Sequence, residues 1–369
     1  MERMDSSPAA PAAVSGQPGD VPGQPSATPE LRGAEPELGG AGRYAPSPSG
    51  RLHIGNLRTG IIAWLCAHSS GRALRWRIED LDRVQPGAAE QQLADCAAVG
   101  LIPDGPLVVQ SARTALYTNV IEALATAGLV YECYCSRKDI QAAPSAPHTP
   151  PGAYPGTCRS LPAGTREAER QRLAAAGRQP AIRLNAQAAA GLLQVPLAPA
   201  GPEVVAEDVL LGAVRGFIDD FVLRRGDSVH SYHLAVVVDD LAMGIDQVVR
   251  ADDLASSTPR QLFFARLLQQ ICPELVSAGD HSIAADAIEW IHAPLVLGPG
   301  GQRLAKRDGA VTPAELEGSG FDFFAWLGTS LGFGPWADLQ EAERSFDLKA
   351  MNRQPSTFDP ADWVTPADS

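Results

Sequence analysis

Pro46-Ser-Pro-Ser-Gly-Arg-Leu-His53-Ile54-Gly55-Asn56 joins a short strand-like stretch to a helical one. Before it, Arg43-Tyr44-Ala45 reads as a strand, ended by the Pro-Ser-Pro-Ser-Gly run. After it, Leu57, Ile61, Trp64 and Leu65 recur at helical spacing and predict a helix over 54–68. A helix N-terminus presents free N–H groups and a partial positive charge, which favour phosphate. A histidine there can donate to a phosphate oxygen as charge develops on it. Gly55 has no side chain, so a flat base can pack against its backbone. Taken alone, a His-x-Gly at a helix start is more often an ordinary turn with a surface histidine.

Working outward, Ala73–Ile78 alternates like a strand, and 87–99 and 113–127 are helical. Strand, helix, strand, helix in this rhythm predicts an α/β fold, a parallel sheet with crossover helices. Residues 133–185 break the rhythm with three cysteines, a Pro-rich loop over 144–155, a helix near 165–176 and a strand at 181–184. They read as an insertion. Beyond it, 221–224 and 231–238 read as strands flanking a hairpin turn at Arg225-Gly226-Asp227. Val248–Arg250 reads as a strand and Pro259–Gln269 as a helix. Thr312-Pro313-Ala314-Glu315 has the cap, first-turn proline and third-position glutamate of a helix start, and Phe321–Leu331 is amphipathic. The expected layout is a tail over 1–40, a first half-domain over 41–132, an insertion over 133–200, a second half-domain over 201–315 and a short helical segment over 316–369.

Composition limits the function. Of 369 residues 45% are hydrophobic and 20% charged, as in a soluble globular protein, and no apolar run is long enough for a membrane span. The net charge of −13 argues against a non-specific nucleic-acid coat, though not against an RNA docking on a local basic face. Residues 1–40 hold seven Pro, six Gly and no aromatic residue, with two basic against six acidic side chains, and read as disordered. No signal segment opens the chain, and six sparse cysteines fit a reducing cytoplasm. No coiled coil or long edge strand asks for a dimer, so a monomer is expected.

Two further clusters carry chemistry. Gly300-Gly301-Gln302-Arg303-Leu304-Ala305-Lys306-Arg307-Asp308-Gly309 is a glycine-flanked basic loop. On it Lys306 can reach a leaving pyrophosphate. Cys133-Tyr134-Cys135 and Cys158 offer three thiolates, a soft set that prefers zinc, and a structural tetrahedral zinc needs a fourth ligand. Tyr154 and His148 both lie between the cysteines, and three reduced cysteines without metal are the plainer alternative.

The His53 motif and the Lys306 loop together resemble the two signatures of class I aminoacyl-tRNA synthetases. The string from Arg43 to Gly60 is similar to the glutamyl branch. Arg77-Ile78-Glu79-Asp80-Leu81-Asp82, Tyr232 to Asp240 and Val249 to Leu254 continue the likeness in order, over roughly 42–310. Two positions depart from the usual family forms: Asn56 where His is common, and Ala305 where Ser is usual. Asn56 can still bond a phosphate; Ala305 cannot, which implies a slower activation step.

The resemblance implies a Rossmann-type catalytic domain with a zinc-bearing α+β insertion. It implies catalytic roles for His53 and Lys306, and ATP held by His53, Gly55, Asn56 and Lys306, with Mg2+ accompanying the nucleotide. It implies an L-glutamate site formed by Arg43, Tyr44, Ala45, Pro46, Ser47, Glu79, Tyr232 and Arg250. The arginines would fork onto carboxylates and Glu79 would hold the ammonium. For the metal, the resemblance favours Tyr154 beside Cys133, Cys135 and Cys158. Only about 60 residues follow Asp308, too few for the anticodon-reading domains of full-length glutamyl enzymes. The pattern therefore resembles the glutamyl-queuosine tRNA(Asp) synthetases, which glutamylate a modified wobble base. That implies the anticodon loop of tRNA(Asp) as partner, with Arg159, Arg166, Arg170 and Arg172 as candidate phosphate contacts or a solvated helix face. A shortened enzyme charging tRNA(Glu), a small-molecule nucleotidyltransferase and a non-catalytic RNA-binding paralogue are the competing expectations.

Overall fold

Strand β1 (Ala41–Tyr44) feeds the proline turn, and helix α1 (Ile54–Ser69) leaves it. The computed structural model describes residues 40–142, 154–277, 282–304, 312 and 320–359. The expected tail over 1–39, His148 and most of the Pro-rich loop, Ala305, Lys306 and the helix start at Pro313–Glu315 lie outside the described residues.

The first half continues as β2 (Ala73–Ile78), α2 (Ala88–Ala98), β3 (Leu107–Val109) and α3 (Thr114–Thr126). Next come β4 (Val130–Cys133), α4 (Arg137–Ala142), α5 (Ala163–Ala175), β5 (Ala181–Leu184) and α6 (Ala186–Leu193). Then follow β6 (Leu197–Ala198), β7 (Gly201–Asp208), β8 (Gly212–Phe217) and β9 (Val222–Arg224). Helix α7 (Tyr232–Ala242), β10 (Ile245–Ala251), α8 (Thr258–Ile271) and β11 (Glu289–Ala293) complete the main layers. Two further helices cover Phe323–Leu331 and Leu339–Ser345.

The main sheet runs β3-β2-β1-β10-β11-β7, all parallel, with β6 and β8 antiparallel on β7. The strand order reverses between β1 and β10, and a crevice at the carboxyl ends of strands meeting there is where such sheets bind ligands. One buried cluster unites α3, α6, α7 and α8; a second unites α1 with the two C-terminal helices. Apolar layers on both sides mark a doubly wound sheet.

Local chemistry explains the first crossover. Gly60 in α1 lets the helix settle on Tyr44 and Leu101: a Cβ there would stand 3.0 Å from the Tyr44 ring and 2.8 Å from Leu101. The Pro46–Gly50 loop is pinned by Gln92, whose amide donates to the carbonyls of Ser47 (3.1 Å) and Gly50 (2.6 Å).

The second, smaller sheet, β4-β5-β9, is antiparallel and draws its third strand from beyond residue 200. The turn at Arg225–Asp227 forms, with Arg225 N–H bonded to Val229 O at 2.9 Å and an antiparallel bridge between Arg224 and His230. The expected strand over 231–238 does not: that segment opens α7. Ser231 caps it, accepting from Leu234 N–H at 3.3 Å, and Gly244 takes φ +71° just past its end. The run Leu234–Val238 is buried on every side, so it carries no alternation that separates strand from interior helix.

Candidate active site

Four side chains converge where the sheet order reverses. Arg43 on β1 and Arg250 on β10 are 4% and 5% exposed, and Glu79 follows β2. Tyr232 begins α7 and is 40% exposed. Glu79 N–H donates to Pro46 O at 3.1 Å, which ties the proline turn to the end of β2. Ser47 is exposed and lines, with Glu79 and Tyr232, one end of a cavity of about 750 Å3. The Tyr44 side chain instead turns inward, edge-on to Trp76 and donating to Asn56 O at 3.3 Å. It belongs to the wall behind the site.

The arginines are provided for unequally. Arg77 meets Asp240 at 2.6 Å, Glu79 at 3.1 Å and Asp239 at 3.7 Å. Arg43 donates to Val249 O at 2.7 Å and lies 3.6 Å from Asp240. Arg250 has only neutral acceptors. Its Nε donates to His292 Nε2 (3.0 Å), Nη1 to Gln261 Oε1 (2.6 Å), and Nη2 to Thr258 Oγ1 (2.9 Å) and Leu254 O (3.4 Å). Among the described residues no carboxylate comes within ion-pair distance of it. Burial, helped by the nearby Arg43, lowers the pKa of Arg250. Burial raises Glu79, against the pull of Arg77 and Arg43. A guanidinium buried beside another without a counter-ion is costly, and an arriving carboxylate would relieve that cost.

At the start of α1 the ring of His53 caps the helix. Its Nδ1 accepts from Gly55 N–H (3.1 Å) and Asn56 N–H (3.3 Å), while Asn56 Oδ1 accepts from His53 N–H at 3.2 Å. Since Nδ1 accepts, the ring proton sits on Nε2. The departure to Asn56 thus completes a reciprocal capping box. A Cβ on Gly55 would press on the ring at 3.1 Å. Beside it lies a crevice of about 30 Å3 lined by Asn56, Thr59, Ala251 and Arg303, room for a water or two. Arg303, on its lining, pairs with Asp253.

The opposite end of the large cavity meets the cysteines. The sulfurs of Cys133, Cys135 and Cys158 lie within 4.8 Å of one another. Cys135 Sγ is 3.5 Å from Cys158 Sγ and 3.7 Å from the Tyr154 hydroxyl, which also accepts from Cys158 N–H at 2.9 Å. The Arg183 guanidinium lies 3.8 Å above the Tyr154 ring. Hydrogen bonding with Cys158 draws the Cys133 thiol down to about 5, against burial. Three thiols and a phenol oxygen pointing together suit a metal ion held wholly by protein.

The four arginines suggested for RNA divide differently. Arg159 is bound to Asp220 at 2.7 Å, Arg170 to Glu132 at 2.7 Å and Arg172 to Glu169 at 2.6 Å. Arg166 is exposed on α5. The solvated, internally neutralised helix face fits Arg170 and Arg172, whereas Arg159 precedes α5 and pairs with the buried Asp220. Sequence reasoning assigned no role to Asp240, Gln261, Thr258, His292 or Asp208. The spacing of Thr258 and Gln261 on one face of α8, just after Arg250, was the available signal.

The description "tRNA synthetases class I (E and Q), catalytic domain" matches residues 41–331. A protein named glutamyl-Q tRNA(Asp) synthetase from Nocardia farcinica is 50% identical over 318 residues, 85% of this chain and 92% of that one. Its namesake from Cutibacterium acnes is 43% identical, covering 82% and 78%. A glutamate–tRNA ligase from a Synechococcus species is 35% identical, covering 86% of this chain and 63% of its own length. The crystal structure of a glutamate tRNA ligase from Elizabethkingia meningosepticum superposes with a TM-score of 0.65 at 24% identity, over 87% of this chain and 67% of the other, and so shares the fold. The chain belongs to the class I tRNA synthetases of the glutamate and glutamine type, within the glutamyl-Q tRNA(Asp) synthetases.

Proposed function

We propose that this chain activates L-glutamate with ATP and passes the glutamyl group to queuosine at the wobble position of tRNA(Asp). The observation that carries the reading is Arg250, buried near Arg43 and Tyr232 with no carboxylate of the described residues within ion-pair distance of it. A dicarboxylic amino acid supplies the missing anions, and the Glu79 carboxylate meets its ammonium. The α-carboxylate oxygen attacks the α-phosphorus and pyrophosphate leaves. A hydroxyl of the queuosine ring then attacks the acyl carbon and AMP leaves. The protein's part is alignment and charge stabilisation. His53, at the start of α1, receives the phosphates through Nε2–H, Lys306 accompanies the departing pyrophosphate, and Mg2+ enters with ATP.

Cys133, Cys135, Tyr154 and Cys158 would hold one zinc. With all four positions filled by protein, the ion stiffens the insertion and takes no part in the reaction. The 750 Å3 cavity between the metal ligands and Glu79 offers space for an extruded base. We take the working form to be a cytoplasmic monomer; among the described residues no helix is long and apolar enough to cross a membrane. The test is transfer of labelled glutamate to purified tRNA(Asp) with and without the modified base. Ester formation only on the modified tRNA is expected. Charging of tRNA(Glu), or no ATP–pyrophosphate exchange at high glutamate, overturns the reading.

A further inference from the structure

We infer that His292 and Asp208 form a buried positioning relay that fixes the guanidinium of Arg250 and thereby sets the affinity for the amino acid. The inference rests on the reading of Arg250 as a carboxylate ligand and concerns what stands behind it.

The relay crosses three neighbouring strands. Arg250 on β10 and His292 on β11 are register partners, and Asp208 ends β7, paired with Trp290 two residues from His292. The His292 and Asp208 side chains are fully buried. Each hydrogen bond has a forced direction. A guanidinium only donates, so His292 Nε2 must accept from Arg250 Nε at 3.0 Å. Thr258 Oγ1 accepts from Arg250 Nη2 at 2.9 Å and lies 3.2 Å from His292 Nε2, whose one lone pair already takes the Arg250 proton. The ring proton is therefore on Nδ1 and donates to Asp208 Oδ2 at 2.6 Å. The other carboxylate oxygen, Oδ1, accepts from the backbone N–H groups of Leu210 (2.9 Å) and Leu211 (2.8 Å).

Stability alone does not call for this arrangement. A buried carboxylate, imidazole and guanidinium in series are costly to desolvate, and apolar residues of similar volume often serve a core better. The anion is also held one ring away from the cation. Arg250 is thus oriented without being paired directly to that anion, which leaves its charge for an incoming carboxylate.

Asp208→Asn is the sharpest test. Asn is isosteric, and its oxygen can keep the Leu210 and Leu211 bonds. Its amide then donates where the carboxylate accepted, so the His292 proton moves to Nε2 and opposes Arg250 Nε–H. In ATP–pyrophosphate exchange with the full chain, the KM for glutamate should rise on the order of tenfold or more, with kcat and the KM for ATP nearly unchanged. His292→Gln, which retains an acceptor near the Nε2 position, should keep more affinity for glutamate than His292→Leu. Melting of each variant is followed in parallel. A glutamate KM unchanged in both Asp208→Asn and His292→Leu overturns the relay, whatever happens to melting; if Asp208→Asn does not fold, an equal glutamate KM in the Gln and Leu variants overturns it. Arg250→Lys is the control. If that change also leaves the glutamate KM unaltered, the reading of Arg250 fails instead.

Discussion

Arg250 rests in a wall drawn from β10, β11, α8 and the turn before it, so its partners stand on the main sheet, on the helix against it or on the turn that joins them. The cysteines at the other end of the same cavity rest on a three-stranded sheet whose buried cluster is Cys133, Tyr134, Tyr154, Cys158 and Leu173. The first site is rigid because the fold's two large apolar layers hold it. In the second, the candidate metal ligands are themselves most of the core. A small sheet with so little apolar burial would gain order from a bound metal ion.

That contrast can be broken at either end. Lys306→Ala should have the largest effect, lowering the rate of glutamate-dependent exchange by about a hundredfold or more, because it removes a donor to a developing phosphate charge. Equilibrium binding of glutamate should be spared. Arg250→Ala should do the reverse, raising the glutamate KM by roughly a hundredfold through loss of charge-assisted bonds to a carboxylate. An unchanged KM would detach the buried arginine from the substrate.

At the other end, Cys133→Ser should release zinc and lower the melting temperature by several degrees, while exchange falls by no more than about threefold because the activation site stands on the main sheet. Metal content that stays at one equivalent would refute the ligand set, and a collapse of exchange would refute the independence of the two ends. Tyr154→Phe keeps the ring under Arg183 and should weaken zinc by about tenfold. Arg170→Ala and Arg172→Ala should be the mildest, within about twofold in melting and transfer assays, since exposed pairs of this kind contribute little.

Residues close in sequence announced themselves and residues brought together by the sheet did not. His53 to Asn56, the cysteine spacing and the strand at Ala73–Ile78 were legible because turn chemistry, thiol spacing and alternation act over a few positions. The partners behind Arg250 were silent: His292 lies 42 residues from it, and Asp208 another 84 from His292. Helix α7 was misread because a β-branched run buried on all sides erases the periodicity that would separate the two structures. The acids that neutralise Arg159 and Arg170 were hidden for a similar reason, since Asp220 lies 61 residues from Arg159 and Glu132 lies 38 from Arg170. Tyr44 sits in the motif of the amino-acid site, yet its ring is the surface on which α1 lies.

The dual use of His53 has a genetic consequence. One ring nitrogen secures the first turn of α1, a task that asparagine or aspartate can perform as well as histidine, and the other is the one we propose meets a phosphate. If His53 serves the phosphates as proposed, a copy of this gene carrying such a replacement would still encode a stable, well-formed protein that no longer turned over. Fold and turnover can therefore part company through a single codon, and thermal robustness in a relative is no evidence that it still works.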